Sequence, residues 1–320
     1  MTRPARVLLL TDAAMAAHAA PGHPERPERL AAVAAGVADG ARLAGAELVR
    51  PAVEPIDPDT LRLVHPDWYV SGLDVAAQRG GGWIDADTYL GPDSMTAARM
   101  AAGATIAAAR AVAAAEAELA FAVVRPPGHH AAEERAAGFC LINNVALAVA
   151  ALRTAGLAHR IAIADWDVHH GDGTQAIFDA DADLFYASTH QSPLYPGTGD
   201  PSEIGSGPAA GTKRNVALPP GSGDPAFLAA WREQLLPAVE AFGPEAILVS
   251  AGYDGHRDDP LAHLMITEAG YEGVGEALGT LAQRLGLPGV TLALEGGYDL
   301  EALRLSAAAT VRGLLAGRSG

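Results

Sequence analysis

The chain has 320 residues, 49% of them hydrophobic and 19% charged, which is enough apolar material for one large packed domain and carries no compositional mark of disorder. Lysine and arginine total 22 against 38 aspartates and glutamates, a formal net charge of -16, which argues against a nucleic-acid surface built on a basic patch. The single cysteine, Cys140, closes no intramolecular disulfide, so nothing calls for an oxidising compartment.

In chain order, the apolar run 7–10 stops at Thr11 and Asp12, which is short for a signal peptide and predicts a first strand over 6–10. Segment 80–82 reads as a loop. The alanine-rich stretch 97–117 is broken by Arg99, Arg110 and Glu116 and falls short of the roughly 18 uninterrupted apolar residues of a membrane span. A cytoplasmic location is expected by elimination. Short apolar runs predict further strands over 119–124, 160–164, 184–188, 215–218, 246–250 and 290–294, with a loop at 205–211. Longer amphipathic stretches predict helices over 143–155, 225–242, 267–285 and 300–315. Strands alternating with crossover helices predict an α/β chain with a mainly parallel sheet, organised as a single domain over 1–320.

In an open parallel sheet the ligand site lies outside the carboxyl ends of the strands. Polar clusters at 125–130, 165–172, 253–254 and 295–298 each follow a predicted strand, so four segments deliver titratable groups to one edge. The most specific is Asp165-Trp166-Asp167-Val168-His169-His170-Gly171-Asp172-Gly173. Alternate side chains of an extended segment share a face, so Asp165, Asp167 and His169 are expected to point the same way. Carboxylate with imidazole suits zinc or a similar first-row ion. A catalytic zinc takes three protein ligands, and Asp254, also near a strand end, is the best candidate for the third. Alone, such a pattern is more often a satisfied turn or helix cap. Asp254 and the other clusters tip it towards a metal.

Arg125-Pro126-Pro127-Gly128-His129-His130 sets two histidines on a rigid turn, where either could accept a proton from metal-bound water or stabilise developing charge. Histidine pairs often decorate surfaces, and here the preceding strand and turn favour a function. In Glu295-Gly296-Gly297-Tyr298 the glycines permit a close backbone approach, and the tyrosine hydroxyl could donate to an oxyanion. Taken by itself, that segment reads as a strand-to-helix turn with a packing tyrosine.

These motifs, with Gly138-Phe139-Cys140 and Tyr195-Pro196-Gly197-Thr198-Gly199, resemble the histone deacetylase family in order and across most of the chain. Gly22-His23-Pro24-Glu25-Arg26-Pro27-Glu28-Arg29 is similar to its bacterial and class II branches. The resemblance implies an arginase-like three-layer fold, a mainly parallel sheet flanked by helices, and hydrolytic removal of acyl groups from amines such as acyl-lysine side chains. By the family's pattern Asp167, His169 and Asp254 would hold zinc, with iron(II) as the alternative. His129 and His130 would be the paired histidines, oriented by Asp165 and Asp172, and Tyr298 would polarise the substrate carbonyl. Phe139 and Tyr195 would wall the acyl-lysine tunnel, and the Gly138 carbonyl would accept the substrate amide. Asp165, Asp167, His169 and Ser188 would hold a structural potassium ion, largely through backbone oxygens. Tyr195 stands where the family usually has phenylalanine, and its acidic residue that grips the substrate backbone has no clear counterpart at 89–93.

Three other readings compete. A deacetylase of acetylpolyamines or other small acetamides differs in substrate, and the chain lacks the long loop insertion by which polyamine-deacetylating relatives narrow their tunnel. A binuclear hydrolase of the arginase type needs further bridging carboxylates where this chain carries His129 and His130. A non-catalytic acyl-lysine binding or scaffolding protein would have lost a ligand or the tyrosine. Serine hydrolysis lacks its Gly-x-Ser-x-Gly elbow. Of the remaining groups, His65 and His159 are expected at the surface or in packing, and His23, His190 and His256 in motif loops near the pocket. Arg26 and Arg29 either reach the acetate-exit region or form salt bridges at a helix start. The expected partner is an acylated protein lysine or a small acylated amine, with no nucleic acid and no membrane.

Overall fold

A computed structural model describes residues 3–319. Its strands are β1 (Arg6–Leu10), β2 (Glu47–Val49), β3 (Gly82–Trp83), β4 (Tyr89–Leu90), β5 (Leu119–Ala122), β6 (Ile161–Asp165), β7 (Leu184–Gln191), β8 (Lys213–Leu218), β9 (Ala246–Ala251) and β10 (Val290–Leu294). Among the described residues, β3 and β4 form an antiparallel hairpin and the other eight make one wholly parallel sheet, in the order β2-β1-β5-β10-β9-β6-β7-β8. The α-helices are α1 (Glu28–Leu43), α2 (Pro58–Leu61), α3 (Asp67–Gln78), α4 (Ser94–Ala113), α5 (Asn144–Thr154), α6 (Asp172–Ile177), α7 (Asp224–Ala229), α8 (Leu236–Phe242), α9 (Glu268–Arg284) and α10 (Leu300–Gly317).

The sheet is buried on both faces, which is why its strands read as continuous apolar runs rather than alternating ones. In β6, Ala162 and Ala164 join the core shared with α1, α9 and α10. Ile161 and Ile163, pointing the other way, join the core shared with α3 and α5. The result is the three-layer arrangement expected from the sequence.

Several boundaries differ, for physical reasons. The predicted helix 225–242 is α7, a π-helical stretch Ala230–Leu235, and α8. Pro237 offers no N–H to the helix and crowds the preceding turn, and the backbone widens there. Gly82 lies in the β3–β4 hairpin rather than a loop, and residues Gly207–Ala209 of the predicted loop wind as a short 3-10 turn. Strand β7 continues to Gln191, so His190 sits on a strand and not in a loop, bonded to Ser188 Oγ (3.0 Å) and the Gly199 carbonyl (3.0 Å).

The chain's one lysine, Lys213, opens β8 and is 1% exposed. Its ammonium donates to the carbonyls of Leu184 (3.0 Å) and Asp181 (3.3 Å) and to Thr212 Oγ1 (2.7 Å), tying β8 to the start of β7. Burial pushes its pKa down to about 8.

A second buried ionic group ties the segment before α1 to the sheet. Glu25, 2% exposed, pairs with Arg29 (2.8 Å) and accepts from Arg125 Nη2 (2.6 Å). Arg29 in turn donates to the carbonyls of Glu295 and Gly297, the latter at 2.6 Å, and its bond to Glu25 realises the helix-start salt bridge. Burial alone would raise the Glu25 carboxyl. The Arg125 and Arg29 charges outweigh it and bring the pKa from 4.5 to about 2.

That lowering has a stability consequence of about 3 kcal/mol. The folded carboxyl is the stronger acid, so this contribution is present above about pH 4.5 and is lost as pH falls towards 2. Glu25→Ala leaves two buried guanidinium groups without their anion and should cost about 3–5 kcal/mol at neutral pH. Denaturant titrations of both proteins between pH 7 and pH 3 measure this, and the gap should narrow on acidification.

Candidate metal centre and active-site cavity

The four motifs fall on four neighbours in the sheet. β5, β10, β9 and β6 are consecutive, so their carboxyl ends, spaced by about 4.8 Å per strand, converge on one point. Sequence distance is therefore no obstacle: β6 brings Asp167 and His169, and β9 brings Asp254.

One ligand atom from each of Asp167, His169 and Asp254 lies within 4.8 Å of the others. His169 Nδ1 is 3.2 Å from both Asp167 Oδ1 and Asp254 Oδ2. Asp254 Oδ2 is fully buried and takes no well-directed hydrogen bond among the described residues. Burial pushes the Asp254 carboxyl up, reinforced by the Asp167 charge. Burial acts the same way on Asp167, but His129 and His169 outweigh it and hold that carboxyl well below the usual range. His169 is driven to about 10, burial being overcome by the two carboxylates in contact with its Nδ1. Two buried carboxylates gathered on one imidazole demand a positive charge, and their oxygens with a nitrogen form a donor set that fits a divalent cation. The backbone makes room for it. A Cβ at Gly296 would lie 2.0 Å from Asp254 Oδ2 and 2.7 Å from Asp167 Oδ2.

Asp165 does not face the same way as the ligands, contrary to the expectation from alternation. β6 ends there, and the chain turns: Asp167 N donates to Asp165 Oδ1 (3.2 Å) and His169 N to Asp167 Oδ1 (2.9 Å). Asp165 Oδ2 instead meets His129 Nδ1 at 3.1 Å and accepts from the Tyr186 hydroxyl (2.9 Å). His130 Nδ1 meets Asp172 Oδ1 at 2.8 Å, and Asp172 is also paired with Arg135. The two histidine rings are 4.1 Å apart. Burial and the neighbouring His129 push His130 down to about 3. Burial opposes the charge on His129, but Asp165, Asp167 and Glu295 prevail and raise it well above its usual value.

A cavity of about 420 Å³ opens over this floor, reaching His129, His130, His169 and Tyr298. Phe139 and Tyr195 line it, Tyr195 with 42% of its surface exposed and its ring 5.1 Å from that of His130. Gly138 and Phe139 both have positive φ, 53° and 69°. A Cβ at 138 would sit 2.3 Å from His130 Cδ2, so the glycine lets this turn press against the histidine. Phe139, held in a conformation costly for a large side chain, has its ring 5.8 Å from that of Tyr298. Tyr298 is 7% exposed, its N–H donates to Asp259 Oδ2 (2.7 Å), and the Arg29 guanidinium lies 5.1 Å over its ring.

The sequence profile of the histone deacetylase domain matches residues 23–314. The chain belongs to the histone deacetylase family. It is 44% identical over 238 residues to a probable deacetylase of Archaeoglobus fulgidus, a match covering 74% of this chain and 66% of that one. In structure it is similar to the HDA15 HD domain, with a TM-score of 0.89, 37% identity and coverage of 97% of this chain and 88% of that one. It is also similar to an acetylpolyamine aminohydrolase from Burkholderia pseudomallei, with a TM-score of 0.85, 29% identity and coverage of 96% and 98%. The enzyme class that follows is a deacetylase, an amide hydrolase acting on acylated amines.

One acidic lining residue was not apparent from the sequence. Asp87 lines the cavity beside Trp83, just upstream of residues 89–93. The signal is the closely spaced Asp85 and Asp87, at a turn where Asp85 Oδ1 accepts from the N–H groups of Asp87 and Thr88. His23 lines the cavity, whereas His256 is buried away from it and bridges to Ile266. His65 is a packing residue bonded to Glu133 O and Asn143 N, and His159 is exposed. Arg26 lines a neighbouring surface pocket.

Gly296→Ala is expected to fold but to displace both aspartates. Metal analysis of the purified variant should give well under one divalent ion per chain where the parent gives one. A fully loaded variant would mean that the two carboxylates do not share a cation.

Proposed function

We propose that residues 1–320 form a single deacetylase domain in which Asp167, His169 and Asp254 hold one zinc ion, with iron(II) as the alternative, and that its substrates are acyl-lysine side chains. The observation that carries this reading is the meeting of three ligand atoms within 4.8 Å beneath a cavity lined by Tyr298, His129 and His130.

A divalent cation bound there supplies Lewis acidity for the substrate carbonyl and lowers the pKa of water towards roughly 7. The chain's own residues do the rest. Phe139 and Tyr195 flank the acylated side chain, and the Gly138 carbonyl accepts its amide N–H. As water adds to the carbonyl carbon, the Tyr298 hydroxyl donates to the oxygen that gains negative charge. His129 and His130 each have Nδ1 engaged, by Asp165 and Asp172. That leaves Nε2 of the pair to take the proton from water and return it to the departing nitrogen. Backbone oxygens of Asp165, Asp167 and His169, together with Ser188, which pairs with Asp165 between β6 and β7, hold a structural potassium ion in this reading. A cytoplasmic setting is part of it, resting on the one unpaired cysteine; no described helix is long and apolar enough to cross a membrane.

A second reading concerns the amine. Asp87 at the cavity mouth and the exposed Asp85 beside it favour a cationic substrate, such as an acetylated polyamine, over a neutral one.

The test is turnover of acetylated lysine peptides and acetylated polyamines by metal-stripped and reconstituted protein. Activity should vanish with the metal and return at one ion per chain. Maximal activity only at two ions would favour the arginase-type reading, and metal uptake without turnover would favour a binding protein. Tyr298→Phe should keep its metal and lose about 100-fold in kcat, the usual scale for one oxyanion donor. Unchanged turnover would remove Tyr298 from the reaction.

A further inference from the structure

Glu295 opens the Glu-Gly-Gly-Tyr turn, yet the mechanism above gives its side chain no task. The carboxyl is 0% exposed and does not line the cavity, so it touches neither substrate nor solvent. Its Oε2 accepts the backbone N–H groups of Gly128 (2.7 Å) and His129 (3.1 Å), and its Oε1 accepts from Ser250 Oγ (3.1 Å). One side chain thus joins the carboxyl ends of β5, β9 and β10.

We propose that Glu295 is the positioning residue for the catalytic histidine pair, acting through its two bonds to the Gly128–His129 backbone. This rests on the deacetylase reading. The loop is gripped from the other sides as well: Thr174 N donates to the His129 carbonyl (3.0 Å), Asn144 Nδ2 donates to the Pro126 carbonyl (3.1 Å), and a Cβ at Gly128 would lie 2.5 Å from Asn144 N. Glu295 supplies the only acceptor described for the N–H of either Gly128 or His129 among the described residues. Without it, two buried donors are orphaned and the peptide that aims His129 at Asp165 is held only through its carbonyl, which accepts from Ala131 N (3.0 Å). The metal ligands come from β6 and β9 and do not depend on these bonds, so the effect falls on turnover rather than on metal or substrate binding.

Glutamine at 295 can rebuild the pattern, its oxygen accepting both N–H groups and its amide donating to Ser250. Aspartate keeps the charge but is one methylene short. Glu295→Asp should therefore lose kcat by about 10–100-fold, the scale of a sub-ångström to one-ångström misplacement. Its KM should stay within about threefold and its metal content at one per chain, while Glu295→Gln recovers most of the lost turnover. The downfield proton signal of the His129 Nδ1–H bonded to Asp165 should shift in the aspartate variant and hold in the glutamine variant, a readout that needs no turnover. An aspartate variant faster than the glutamine one, or a loss carried by KM, overturns the proposal. Parent protein that hydrolyses no acylated amine would sink the functional reading instead, leaving the proton signal to decide the positioning.

Discussion

Burying carboxylates side by side at adjoining strand ends is the constraint from which the rest of the site follows. Asp165, Asp167, Asp254 and Glu295 are each at most 1% exposed, and an uncompensated anion in such a place costs several kcal/mol. Most of the compensation is backbone: Gly296 N donates to Asp167 Oδ2 (2.7 Å), Val168 N to Asp254 Oδ1 (3.0 Å), and Gly128 and His129 to Glu295. Asp165 is served by Tyr186 and His129. The face between Asp167 and Asp254 has only His169, and it is there that a cation belongs. The cluster of Asp167, His169 and Asp254 is thus the place where the sheet's own donors run out.

Around that cluster the fold sets two braces, joined where Arg29 donates to the Glu295 carbonyl. Glu295 fixes the histidine loop to the strands beneath it. Glu25, through Arg125 and Arg29, fixes the same loop and the Gly-Gly-Tyr turn to the segment that precedes α1. A site made from loops of four strands is ordinarily free to drift. Here the histidine loop and the Gly-Gly-Tyr turn are bonded to their neighbours through buried charges.

The central strands are legible because burial on both faces makes them unbroken apolar runs, and the clustering of Asp167, His169 and Asp254 because carboxylate and imidazole follow strand ends. What escaped has recognisable physical causes. β2 is three residues at the sheet edge, too short and too exposed for any period to show. In α4, alanine lies on the buried and the less buried faces alike, so composition hides the helical stripe that burial reveals. α1 begins after a run of prolines and charges whose partners, Arg125 and Glu295, are remote in sequence. Asp165 bonds His129 and Tyr186 rather than sharing the face of Asp167 and His169, because alternation holds only while the strand lasts. Glu295 was read as part of a turn, since nothing local tells a buried carboxylate from a solvated one.

Lys213 carries an implication of its own. It is the chain's sole ε-amine, and it is sequestered within the sheet with its three hydrogens committed to oxygen. Every other basic side chain that can carry a fixed positive charge is arginine. A chain built this way presents no exposed lysine ε-amine to acyl phosphates or thioesters, so none of its own lysines resembles an acceptor or, once acylated, a substrate.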